Sequence, residues 1–219
     1  MLQVRLRFRI GGGLAYLSHA ETLRLFQRAC VRAGIPIEYS RGFNPRPRIS
    51  LPLPTTVGVQ GDEELLCFRM SSSADLCGSD DTANRLCVQV EEQLPADCHV
   101  LSVQVVEKKS VPQPMCATYV LRLRPDRITH KLMSTVDDVL RQGSIWVSRG
   151  GVPGKRARKQ VEVRRFLRTI RLERQTILIE CYVGPGGSIR VEEMLDILDL
   201  KRSDLAGPPM RMNVQWQEN

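Results

Sequence analysis

Residues 2–34, LQVRLRFRIGGGLAYLSHAETLRLFQRACVRAG, decide the fold, because two different periodicities follow one another in them. From Leu2 to Ile10 the pattern has period two: Leu2, Val4, Leu6, Phe8 and Ile10 fall on one face, Gln3, Arg5, Arg7 and Arg9 on the other. That is a strand with one buried face. Gly11, Gly12 and Gly13 then break the strand and let the chain turn. Ser18 is a good helix N-cap, and Glu21 three residues on completes a capping box, so a helix is expected from His19 to about Ala33. Leu23, Phe26 and Cys30 make its apolar stripe, Gly34 stops it and Pro36 forbids its continuation.

Downstream, residues 35–39 and 49–59 are expected to be extended, with a loop between them that Pro45 and Pro47 hold stiff. Residues 64–70 predict a strand, 80–94 a helix and 99–107 another strand. The order is strand, helix, strand, strand, helix, strand, that of a ferredoxin-like domain. A linker is expected over 108–113, where Pro112 and Pro114 cluster. Beyond it the order recurs: strand 118–124, helix 129–142, short strand 145–148, hairpin 166–172 with 176–183, helix 191–198 and strand 209–217. The expectation is an α+β chain of two tandem ferredoxin-like (βαββαβ) domains, residues 1–109 and 110–219.

With 219 residues, 42% of them hydrophobic and 26% charged, the chain can bury a core, and its composition excludes a disordered class. Its 32 Lys and Arg against 24 Asp and Glu give a net charge of +8, which favours anionic partners. Counted along the sequence, 26 of those 32 cations are arginines. The arginine fork matches phosphate and guanine edges, although a GC-rich genome produces the same bias. The seven cysteines are scattered and lie mostly in apolar segments, as in the reduced core of a cytoplasmic protein. No Cys-x-x-Cys pair occurs, and His19, His99 and His130 are the only histidines, so no metal site and no cofactor is expected in this chain. No apolar run approaches the roughly 18 residues of a membrane span, and Met1 leads into the first strand without a signal peptide.

Three segments are candidates for binding a polyanion. Arg5, Arg7 and Arg9 would stand about 6 to 7 Å apart along the helix-free face of the first strand, close to the spacing of successive phosphates. Alternatively that face is covered and its arginines pair with acids. The second candidate is Tyr39 with the loop Arg41 to Arg48, where Arg41, Arg46 and Arg48 ride on a stiffened backbone and Asn44 favours a turn. Tyr39 and Phe43 either stack on bases or tuck inward, and burial is the expectation for Phe43. The third is the basic loop that carries Arg149, Lys155, Arg156, Arg158 and Lys159. His19 alone is placed where a general base is conceivable, at the first turn of a helix, yet its register with Leu23 and Phe26 marks it as structural. Gly184 to Gly187 is a glycine-rich turn without the lysine of a phosphate loop.

Tyr16-Leu17-Ser18-His19, Arg24, Phe26, Arg28, Ala33-Gly34, Tyr39-Ser40, Gly42-Phe43-Asn44-Pro45 and Arg48-Ile49-Ser50 resemble an uncharacterised bacterial family whose members accompany radical-SAM proteins, fused to one or encoded beside it. Lys159 to Arg164 resembles that family's Lys-x-Val-Asp-Ile-Arg segment, and Gly184 to Arg190 with Glu193 its glycine turn and helix. The family reads Ser-His-Leu-Asp where this chain has Ser18-His19-Ala20-Glu21, and often His or Lys at the position of Arg46. The resemblance implies a radical-SAM partner. This chain lacks the Cys-x-x-x-Cys-x-x-Cys motif that would hold the iron-sulfur cluster itself. Three functional readings follow: an RNA-binding subunit that presents tRNA or rRNA to a radical-SAM modification enzyme, with no catalysis of its own; a metal-independent endoribonuclease similar to the CRISPR repeat-processing enzymes, with His19 as base; or a protein-interaction module without nucleic acid.

Overall fold

The computed structural model of the chain describes residues 2–70, 80–107, 110–150, 159–184 and 186–217. It is a mixed α/β structure with four α-helices among those residues, and it divides into two compact units, Met1–Pro114 with Trp216–Asn219, and Met115–Gln215.

The first unit is built on β1 (Leu2–Ile10). All five members of its apolar face are buried, together with Phe26, Ala29 and Cys30 of α1 (His19–Arg32) and Leu86 and Val90 of α2 (Asp80–Glu91). β1 pairs antiparallel with β3 (Gln60–Met70) on one side and with β4 (Cys98–Val106) on the other. The two-residue strand β2 (Ile49–Ser50) pairs antiparallel with β3 on its remaining edge, since Cys67 faces Arg5 on one side and Ser50 on the other. The order across the sheet is therefore β4-β1-β3-β2. The extended segment expected over 49–59 pairs only through Ile49 and Ser50, because Pro52 and Pro54 remove ladder donors. Residues 35–39 form no strand. Ile37 and Tyr39 make isolated bridges to different partners, Met70 and Pro47.

The capping box forms as its residues dictate. The Ser18 N–H donates to Glu21 Oε2 at 2.8 Å and the Glu21 N–H to Ser18 Oγ at 3.4 Å. The glycine break is equally specific. Gly12 has φ +50°, and a Cβ there would lie 2.2 Å from Asp97 Oδ2, whose carboxylate accepts the Gly13 N–H at 3.1 Å.

The second unit contains β5 (Gln113–Arg122), α3 (His130–Arg141), the antiparallel pair β6 (Trp146–Arg149) and β7 (Lys159–Glu162), then β8 (Leu167–Glu173), β9 (Thr176–Tyr182), α4 (Val191–Ile197) and β10 (Met210–Gln217). Its strands run in the order β10-β5-β9-β8. Gln113, expected in a linker, already belongs to β5. β7 has no counterpart in the sequence reading. Its Glu162 carboxylate accepts the backbone N–H groups of Ile145 at 3.2 Å, Arg164 at 2.7 Å and Arg165 at 3.4 Å. Arg164 in turn caps α3, its guanidinium donating to the carbonyls of Leu140, Gln142 and Leu167 at 3.0 Å each.

Two predictions follow from these anchors. Gly12→Ala should lower unfolding free energy by about 1–3 kcal/mol in denaturant titration, from left-handed backbone strain alone. At Glu162, desolvation favours the neutral acid, but the three amides outweigh it and hold the carboxyl below its ordinary value of 4.5. A carboxyl with a depressed folded-state pKa stabilises the fold above the unfolded value and loses that contribution as pH falls through the folded one. Glu162→Gln should therefore flatten the decline of stability with acid below pH 4.5, measured as the denaturation midpoint against pH.

Candidate nucleic-acid interface

Between α1 and β3 the chain projects as a tongue. Its two arms are tied to each other and to β3 by backbone bonds. Glu38 N–H donates to the Arg69 carbonyl at 2.8 Å, Arg69 N–H to that of Arg48 at 3.0 Å, and Arg48 N–H to that of Glu38 at 2.8 Å. Nearer the tip, Ser40 N–H donates to the Arg46 carbonyl at 2.8 Å, and Arg46 N–H returns a bond to Ser40 Oγ at 2.9 Å. Beyond that closure lie Arg41 to Pro45, all exposed, with Gly42 at φ +146°.

Phe43 stands at this tip with 106% of its reference surface in solvent, which corrects the expectation that it would be buried. The physical reason is the closure between Ser40 and Arg46, which leaves the five-residue tip no wall to lean on. Burying a phenylalanine ring contributes about 1.5–3 kcal/mol. Here that free energy goes unused in the fold. Tyr39 is 45% exposed on the same tongue, beside the exposed Arg41, Asn44 and Arg46. Arg48, at the root, forms an ion pair with Glu38 at 3.4 Å.

The arginine row of β1 is less available. Arg5 is 6% exposed and sits beside buried Gln3, Leu65 and Cys67 of the same face, so the middle of that face is not open to a polyanion. Arg7 and Arg9 reach solvent but are held by acids of β3, Arg7 Nη1 to Glu63 at 2.5 Å and Arg9 Nε to Asp62 at 2.7 Å. A continuous row of three phosphate contacts is therefore excluded. Exposed ion pairs of this kind are worth little, and a phosphate can compete for them.

In the basic loop, Lys155, Arg156 and Arg158 lie outside the described residues. Arg149 and Lys159 are the paired ends of β6 and β7. Lys159 is exposed. Arg149 is not a free cation: its Nε and Nη2 bind Glu193 as a fork, both at 2.7 Å, and Nη2 also reaches the Ser188 carbonyl at 2.9 Å. Glu193 is buried and Arg149 half-buried, with side chains 8% and 19% exposed. The glycine turn is closed on itself, Gly184 and Gly187 exchanging N–H to carbonyl bonds at 3.2 and 2.8 Å, so those amides are not presented to a phosphate.

His19 is half-buried at the first position of α1, and its Nδ1 has no hydrogen-bond partner among the described residues. Among the described residues no second titratable side chain is bonded to it. Among the described residues no three His, Cys, Asp or Glu side chains converge as metal ligands, and no helix is long and apolar enough to cross a membrane. Burial pushes the thiols of Cys30 and Cys98 up to about 12 and that of Cys67 to about 11, so they stay protonated near neutrality.

A cleft of about 250 Å³ beside α3 contains Arg127 and Lys131, but Asp204 at 3.0 Å and Asp199 at 2.6 Å already neutralise them. A second cleft, of about 200 Å³, opens at the root of the tongue, where Arg48, Ile49 and Ser50 meet Cys67, Arg69 and Gln3. The sequence pattern alone does not mark Ser40, Arg69 or Gln3 as site residues. The signal for Gln3 and Arg69 was their place in the alternation of neighbouring strands, on the face opposite the core.

A protein-family profile described as an uncharacterized protein conserved in bacteria (DUF2344) matches residues 3–192. No curated protein matches the chain.

Glu193→Ala should destabilise the fold by about 1–3 kcal/mol in urea titration, because it leaves the half-buried Arg149 guanidinium without its carboxylate partner.

Proposed function

The chain belongs to the DUF2344 family of uncharacterized bacterial proteins, a description without an activity, and from the geometry above we propose that it is an RNA-binding protein. In this reading it presents tRNA or rRNA to a radical-SAM modification enzyme, a partnership suggested by the sequence resemblance alone. Both units are read as ferredoxin-like. The orders β4-β1-β3-β2 and β10-β5-β9-β8 support this, each being fourth, first, third, second when β6 and β7 are taken as an insertion.

The observation that carries the proposal is the tip of the tongue. A fully exposed aromatic ring flanked by exposed Arg41 and Arg46, on a backbone closed at its base, offers a stacking surface and cations at little entropic cost. Bases of a single strand, a loop or a bulge can stack on such a ring, whereas bases inside a duplex cannot reach it. The endoribonuclease reading gains nothing comparable, since among the described residues no second titratable side chain is bonded to His19.

The test is fluorescence anisotropy with an unstructured RNA in rising salt. Phe43→Ala should weaken binding by about 5- to 150-fold, equivalent to about 1–3 kcal/mol for one stacked base, and leave the thermal midpoint unchanged. Arg41→Ala and Arg46→Ala should each reduce the log–log salt slope by about 0.7 if each holds one phosphate. Affinity that is flat in salt, or indifferent to all three substitutions, would overturn the proposal. A native protein that co-purifies with another protein and no nucleic acid would point to an interaction module instead.

A further inference from the structure

We infer that the ribbon formed by β6 and β7 is a second binding site for single-stranded RNA, in which the Trp146 ring stacks on an unpaired base. The inference rests on the RNA-binding reading and deepens it, giving the second unit a contact of its own in addition to the tongue.

The ribbon is a separate sheet of two strands. A lone hairpin is marginal in water, so its order has to come from its root. There Arg149 is forked onto Glu193, the Glu162 carboxylate gathers three backbone N–H groups, and the Val163 N–H donates to the Ile145 carbonyl at 2.8 Å. Ile145 and Val163 are buried. Register then fixes the two faces. Trp146 lies opposite Glu162 and Ser148 opposite Gln160, so these four share one face, while Val147, Arg149 and Val161 belong to the other. Trp146 is 63% exposed, and the exposed Ser148 and Gln160 are bonded to each other at 2.9 Å. A ring displayed on an anchored backbone loses little entropy when a ligand covers it.

Charge selects a polyanion. Residues 144–166 carry seven Lys and Arg against one acid, a surplus of six in a chain whose whole surplus is eight. Setting Arg149 against Glu193 still leaves five. Lys155, Arg156 and Arg158 of that count lie outside the described residues and are no part of the site. Lys159 and Arg165 are exposed, and neither forms an ion pair among the described residues. Arg165 is joined by its N–H to the Glu162 carboxylate opposite Trp146, and Lys159 lies three residue pairs along the ladder, about 10 Å away.

The ring selects a polyanion that bears bases. An indole face stacks on any unpaired base, whereas bases within a duplex are closed to it. A protein partner or a membrane surface calls for a contiguous apolar patch, and the other members of this face are Ser148, Gln160 and Glu162.

Anisotropy of labelled, unstructured oligouridine is measured for the full chain and for variants in both the native and the Phe43→Ala background, the latter to remove the tip's contribution. Trp146→Ala should weaken binding by about 5- to 150-fold in either background without moving the thermal midpoint, and Trp146→Phe, which keeps a ring, should retain most of the affinity. Trp146 and Trp216 are the two tryptophans of the chain, so RNA should quench the emission of the wild type and leave that of Trp146→Phe unchanged. Unaltered affinity in Trp146→Ala, or emission that RNA does not quench, would overturn the ribbon site and leave the RNA reading standing. Binding to phosphatidylglycerol vesicles that Trp146→Ala abolishes, with RNA affinity intact, would assign the ribbon to a membrane surface and overturn it as well. A wild type that binds no RNA would overturn both readings.

Discussion

Phe8 packs edge-on against Phe26 with ring centroids 4.5 Å apart, and this contact joins the period-two face of β1 to the helical stripe of α1. Everything in the first unit is referred to it. With β1 seated on the helices, its register sets β3 on one side and β4 on the other, and β3 sets β2. The residues opposite the core follow without further choice, because a slip of one position would bury Arg7 and expose Phe8. The roots of the tongue hang from Arg69, and so inherit this register through two backbone bonds.

Charge is distributed differently from what the total suggests. Several of the cations counted in the net charge are tied down: Arg7, Arg9, Arg127, Arg149, Arg171 and Arg202 each meet a carboxylate within 3.0 Å. The net charge therefore says little about where a partner would touch. What distinguishes the tip is that Arg41 and Arg46 form no ion pair within 4.0 Å among the described residues, and that an aromatic ring shares their exposure.

Local pattern carried most of the scaffold. The alternation of β1, the capping box at Ser18 and Glu21, the helix that Thr129 caps and the hairpin of β8 with β9 are all written within a few residues of where they form. What was illegible depended on partners distant in sequence. Arg149 reads as one more cation of a basic loop until Glu193, 44 positions away, closes on it. Arg5 reads as solvent-facing because alternation reports the side of a strand, not whether that side is covered. Phe43 was expected inward on its hydrophobicity alone. The bond between Ser40 and Arg46 that isolates it has no composition signature, since serine and arginine occur freely on surfaces.

The tongue's closure has one further consequence. Its tip buries nothing, and its arms are secured entirely below Ser40 and Arg46. Residues 41–45 can therefore change identity without disturbing the register of β1 and β3, which is set elsewhere. Recognition and folding are separable variables in this unit, so sequence drift at the tip can retune what the protein grips while the scaffold beneath it stays as it is.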